Sequence, residues 1–182
     1  MKRILMLLLV CSASLACAAT VDWAFNGDFP TGHTVSAGNK AILFASVASN
    51  GDVYNTLATA IKGNNFAAVT SYTAATTSVV EHPLFGPVVA EPLTFGNIQT
   101  DVGAAGVYNF YVAIFTADNP GNGDYFILTD AKKATTSTDT SVTALTFDRA
   151  SADGWMQIVP EPTVLALLAL GVAGLALKRK QF

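Results

Sequence analysis

Val107-Tyr108-Asn109-Phe110-Tyr111-Val112-Ala113-Ile114-Phe115-Thr116 is a run of β-branched and aromatic residues with one amide, Asn109, inside it. Tyr108, Phe110, Val112 and Ile114 alternate with Val107, Tyr111 and Phe115, so both faces of an extended chain are apolar here. A strand of that kind sits inside a sheet that is covered on each side. Lys40–Ala48 has the same character, with Ile42 and Phe44 set against Leu43 and Val47. Working outward, Tyr125–Thr129, Val142–Phe147 and Phe66–Tyr72 are further strand candidates. Val88–Ala90 and Leu93–Ile98 are shorter, and Pro83, Pro87 and Pro92 place them near an edge. Turn residues recur between them, at Asn26-Gly27-Asp28, Asn50-Gly51-Asp52, Gly63-Asn64-Asn65 and Pro120-Gly121-Asn122-Gly123. The pattern predicts a mainly β fold: an antiparallel β-sandwich, jelly-roll-like or immunoglobulin-like, with a small barrel as the alternative.

One short helix is expected. Asp52 would cap it, Val53, Leu57, Ala60 and Ile61 share a face, and Gly63 would take the left-handed position after its end. Ala134–Thr140 is polar and of low complexity, and is expected to be a solvated connection that would also accept O-linked sugars.

The two ends differ from the body. Lys2-Arg3, the apolar Ile4–Val10 and the small residues Ala16-Cys17-Ala18-Ala19 make a secretory signal peptide, cut after Ala18 or Ala19. Lipidation at Cys17 is the lesser alternative, because Ser14 stands where a lipobox has a Leu-like residue. Cys11 and Cys17 both lie in this segment, so residues 20–182 hold no thiol for catalysis, zinc or disulfides. The expected organisation is a signal peptide over 1–19, an ectodomain over 20–158 and a C-terminal signal over 159–182.

Charge is segregated. Thr20–Pro162 holds only Lys40, Lys62, Lys132, Lys133 and Arg149 against all thirteen Asp and Glu, a net charge of −8. Such a body repels phosphate backbones, so no nucleic acid is expected as a partner. At the C-terminus the polarity reverses. Val159-Pro160-Glu161-Pro162-Thr163 leads into the uncharged run Val164–Leu177, and Lys178-Arg179-Lys180 follows directly. Fourteen helical residues span about 21 Å, against about 30 Å of bilayer hydrocarbon. Snorkelling by Lys178, Arg179 and Lys180 and local thinning would close the gap, so a transmembrane helix is expected over Val164–Leu177. The basic cluster predicts a cytoplasmic C-terminus and the signal peptide an exported body, which agree.

This tripartite tail resembles the PEP-CTERM sorting signal of bacteria that carry an exosortase. The resemblance covers the last 24 residues. It implies that Pro160, Glu161 and Pro162 are the motif recognised by a membrane-embedded processing enzyme. Val164–Leu177 would be the transient anchor and Lys178, Arg179 and Lys180 the stop-transfer cluster. It also implies passage through the inner membrane to the cell surface or exopolysaccharide matrix. It implies nothing about the fold of the body.

Candidate sites in the body are weak. Asp118, Asn122 and Asp124 would give calcium three oxygens, but the spacing is not that of an EF-hand, and a hairpin turn is the plainer reading. His33 and His82 lack metal-ligand spacing, and no Gly-x-Ser-x-Gly elbow accompanies them. Glu81 and Glu91 bracket a Pro-rich stretch without a pattern that builds a two-carboxylate cleft. Trp23, Tyr54, Tyr72 and Trp155 would form an aromatic platform for sugars, or simply pack in the core. The expected function is therefore that of a non-enzymatic, cofactor-free surface or biofilm-matrix protein. Exopolysaccharide binding is second and hydrolysis of matrix polymers third.

Overall fold

The structure is a computed structural model that describes residues 18–26, 29–82, 86–91, 100–138, 142–147 and 154–159. The expected signal peptide up to Cys17, the segment Leu93–Ile98 and everything from Pro160, including Val164–Leu177, lie outside these residues. In chain order the strands are β1 (Thr20–Asn26), β2 (Lys40–Val47), β3 (Thr73–Ser78), β4 (Val80–His82), β5 (Gly86–Glu91) and β6 (Thr100–Asp101). They continue as β7 (Gly106–Phe115), β8 (Tyr125–Leu128), β9 (Lys132–Thr136), β10 (Thr143–Phe147) and β11 (Met156–Gln157). Helix α1 (Tyr54–Lys62) lies between β2 and β3, flanked by 3-10 segments at Ala48–Asn50 and Phe66–Tyr72.

The strands form two sheets that are mostly antiparallel. One has the order β10-β1-β5-β4, with β6 also on β1; the other has the order β11-β8-β7-β2-β3, with β9 also on β7. The departure from an all-antiparallel arrangement is β10, which runs parallel to β1 in the register Val21↔Thr143 to Phe25↔Phe147. β5, expected near an edge, lies next to the short edge strand β4, which pairs with its Gly86–Val88 half while β1 pairs with Val88–Glu91, and Pro87 stands opposite Glu81.

The alternation read in β7 has a direct physical counterpart. Phe110, Val112 and Ile114 point into an apolar cluster shared with Val21, Trp23 and Phe25 of β1 and Leu145 and Phe147 of β10. Tyr111, Ala113 and Phe115 point the other way, into a second cluster with Leu57 and Ile61 of α1 and with Met156 and Ile158. β2 divides likewise, Leu43 to the first cluster and Ile42 and Phe44 to the second. A large apolar side chain withdrawn from water contributes about 1.5–3 kcal/mol. The β2–β7 ladder, from Ala41↔Ile114 to Val47↔Tyr108, therefore carries two cores at once. In β1 the two faces differ: Val21 and Trp23 are buried, and Asp22 between them is exposed.

Three expectations are corrected. Phe66–Tyr72 is a 3-10 segment and not a strand. Its apolar members Phe66, Val69 and Tyr72 recur every third residue and pack together on the second cluster, which suits three residues per turn. Asn65 Oδ1 accepts from Ala68 N–H at 3.3 Å, and Thr70 Oγ1 donates to Phe66 O at 3.2 Å, so local bonds hold the turn. Within Ala134–Thr140, Ala134–Thr136 is inside β9 and not in a loop, because β-branched residues suit a ladder. Thr136 is buried there and exchanges bonds with Gly106 through its hydroxyl. Gly63 is not left-handed, having φ −76°; Asn64 takes that role with φ 55°. Asn64 N–H donates to Ile61 O and Asn65 N–H to Ala60 O, at 2.9 and 2.8 Å, which is a Schellman end one residue later than expected.

Candidate functional site

The expected processing motif begins at Pro160, and the described residues run up to Val159, the residue before it. β11 pairs Met156 with Phe126 and Gln157 with Tyr125 on the edge of β8. Ile158 is fully buried; its N–H donates to Asp124 O and its carbonyl accepts from Gly123 N–H, both at 2.8 Å. Val159 N–H donates to Lys62 O at 2.8 Å. Lys62 is the last residue of α1, so the departing chain satisfies a carbonyl that a helix end leaves open. Upstream, Trp155 Nε1 donates to Pro30 O at 2.8 Å. Its ring lies 6.3 Å from Phe29 and 5.5 Å from His33, and His33 stacks on Tyr125 at 3.7 Å. The β1–β2 connection thus grips the chain just before β11.

Sequence reading missed most of this clamp. The signal available was Met156 and Ile158 alternating with Gln157, but three apolar or amphipathic residues beside a Pro-rich motif make a weak strand pattern. Pro160, Glu161, Pro162, Val164, Leu177, Lys178, Arg179 and Lys180 themselves lie outside the described residues.

The other candidates disperse. Asp118 Oδ1 accepts from Asn119 N–H, Asp124 Oδ2 from Gly121 N–H and Asn122 Oδ1 from Asn64 Nδ2, each at 2.8 Å. These bonds shape the β7–β8 hairpin loop and tie it to the end of α1. No group of three His, Cys, Asp or Glu that would hold a metal occurs among the described residues. His33 is a half-buried ring in the clamp, and His82 ends β4, its side chain outside the described residues. In the backbone register Glu81 pairs with Pro87 and Glu91 with Trp23, and the side chain of Glu91 lies outside the described residues. The four aromatics share no platform. Trp23 is buried in the first cluster with Trp155 packed against it, whereas Tyr54 and Tyr72 pack on the second.

No helix among the described residues is long and apolar enough to cross a membrane, and Val164–Leu177 was not among them. No curated protein and no solved structure matches the chain. Residues 159–180 match the family described as the PEP-CTERM protein-sorting motif. The match begins at Val159, the last of the described residues, and the tail of this protein is a PEP-CTERM motif, the sorting signal of an exported protein that passes through the membrane and is handled by an exosortase.

Proposed function

We propose that this is a non-enzymatic cell-surface or extracellular-matrix protein, exported by a signal peptide over residues 1–19 and sorted through its tail over 159–182. Residues 20–158 are then a β-sandwich ectodomain whose two sheets close on the cluster around Trp23 and Phe110. Pro160, Glu161 and Pro162 are the recognition residues, Val164–Leu177 the anchor and Lys178, Arg179 and Lys180 the stop-transfer cluster. The observation that carries this reading is the match of residues 159–180 to the sorting motif. The hairpin bonds of Asp118, Asn122 and Asp124 support the plainer reading of that loop as a turn.

Intact mass of the protein from its native host, in cell-bound and released fractions, tests the sorting. A form lacking the signal peptide and everything beyond the Pro160–Pro162 region is expected in the released fraction. A full-length tail in the membrane fraction alone would refute release and leave a simple anchored protein.

Exopolysaccharide binding is the second reading. Burial of Trp23 and the division of the aromatics between two clusters take away a shared stacking platform.

A further inference from the structure

The tail leaves the body at one end of the fold, beside segments that bond to one another. Val159 N–H donates to Lys62 O at the end of α1, and Ile158 exchanges backbone bonds with Gly123 and Asp124 of the β7–β8 loop. Asn64 Nδ2 donates to Asn122 Oδ1 at 2.8 Å, and Gln157 Nε2 to Gly123 O at 3.3 Å. The end of α1, the β7–β8 loop and β11 therefore make one face, and the chain leaves from it at Val159.

The sequence beyond Val159 allows little reach. Four residues, Pro160–Thr163, separate Val159 from Val164, the first residue of the proposed anchor. Fully extended, the five steps from Val159 to Val164 span at most about 17 Å. As a helix, Val164–Leu177 is about 9 Å shorter than the hydrocarbon it crosses. With Lys178, Arg179 and Lys180 at the cytoplasmic boundary, the same four residues take up that shortfall. About 8 Å of reach is then left above the hydrocarbon, and the headgroup layer is itself about 5–8 Å deep. Snorkelling and local thinning add a few ångströms. Val159 is thus drawn to the outer surface of the headgroups unless β11 and Ile158 leave the body. They are well held: Ile158 is fully buried and Met156 is 6% exposed.

We propose that, while the tail spans the membrane, the face formed by the end of α1 and the β7–β8 loop rests on the lipid headgroups of the exported side. The proposal rests on the anchor reading above and says how the body sits on that anchor. The chemistry of the face suits this partner. Lys62, Asn64, Asn122 and Gln157 are exposed, and an ammonium group and amides donate to headgroup phosphates. Val159, 54% exposed, adds an apolar contact at the water boundary. Asp118 and Asp124 of the same loop each accept a backbone N–H bond. With a net charge of −8 over Thr20–Pro162, the body as a whole is repelled by anionic lipid, so zwitterionic headgroups are the partner that fits. The short tether supplies a closeness that attraction alone would not.

The test uses the full chain, made with its signal peptide in an exporting bacterium that lacks an exosortase. The isotope-labelled membrane form is moved into nanodiscs of phosphatidylcholine doped with a gadolinium-headgroup lipid, and amide signals are followed. Those of Lys62, Asn64, Asn122 and Gly123 are expected to be lost. Those of Gly106 and Thr136, about 30 Å away at the other end of β7, are expected to persist. A flexible Gly/Ser insert of about twelve residues between Val159 and Pro160, with an r.m.s. length of about 19 Å, is expected to restore the lost signals. The proposal is overturned if both ends of β7 lose signal alike, if neither does, or if the insert restores nothing. It is also overturned if Met156, Gln157 and Ile158 take different shifts in the wild type and the insert variant, which would mean that β11 has left the body. A chain that does not stay with the disc refutes the anchor reading itself and the proposal with it. A chain that stays with the disc and fails any other arm refutes the proposal alone.

Discussion

Tyr111 and Asp52 are joined across the second core: the phenol Oη donates to Asp52 Oδ1 at 2.8 Å and accepts from Val53 N–H at 3.1 Å. Asp52 Oδ1 also accepts from Tyr54 N–H at 2.9 Å. The centre of the sheet therefore fixes the start of α1, and Asp52 serves the helix through Tyr111 as well as through its own backbone contact. Replacing Tyr111 with Phe keeps the ring and strands a buried Val53 N–H. A loss of about 1–3 kcal/mol is expected in urea unfolding; an unchanged midpoint would show that the hydroxyl is idle.

The same phenol gives a pH signature. Burial, reinforced by the Asp52 carboxylate, pushes Tyr111 up from 10.0 to about 12. Its folded state holds the proton more tightly than the unfolded state. The corresponding stability is complete below pH 10 and is lost as pH rises from 10 towards 12. The slope for one group is at most about 1.4 kcal/mol per pH unit. Wild type minus Tyr111→Phe, measured by unfolding at pH 9 to 11.5, isolates this group from the other tyrosines and lysines. A difference that stays constant with pH would contradict the assignment.

Under the proposed export, Ala19 distinguishes the two expected signal-peptidase cuts. It is fully buried, its N–H donates to Gly103 O at 2.8 Å and its carbonyl accepts from Val102 N–H at 2.9 Å. A cut after Ala18 keeps these contacts, and a cut after Ala19 removes them. The mature N-terminus is expected to be Ala19, and N-terminal sequencing that begins at Thr20 would refute this.

Thr129 bridges the point where β7 changes partner from β8 to β9. Its Oγ1 accepts from Val112 N–H at 2.8 Å, and its own N–H donates to Val112 O at 2.9 Å. Thr129→Val keeps the shape and leaves Val112 N–H unsatisfied in a buried place. The expected loss is about 1–3 kcal/mol in urea unfolding, well above that for a Thr→Val change at exposed Thr135.

How far the sequence could be read followed how local each determinant was. β7 and β2 were legible because their double-sided apolar pattern has one structural solution. α1 was legible from its face and its flanking Asp52, though not the exact residue at its end, since Gly63 and Asn64 both tolerate the required angle. β1 escaped notice although Val21, Trp23 and Phe25 alternate with Asp22 and Ala24, because its strand partners come from residues 88–91, 100–101 and 143–147. β3, Thr73–Ser78, has no large apolar residue to mark it.

The bond from Val159 to Lys62 also has a mechanical meaning. While the tail is held in a membrane, tension entering at Pro160 meets Val159 first, then Ile158, then the two residues of β11. These contacts stand in line along the chain, one residue after another. The long β2–β7 ladder lies behind them and takes no load until β11 has gone. A pull on the proposed anchor thus meets the Val159–Met156 contacts before it meets the core.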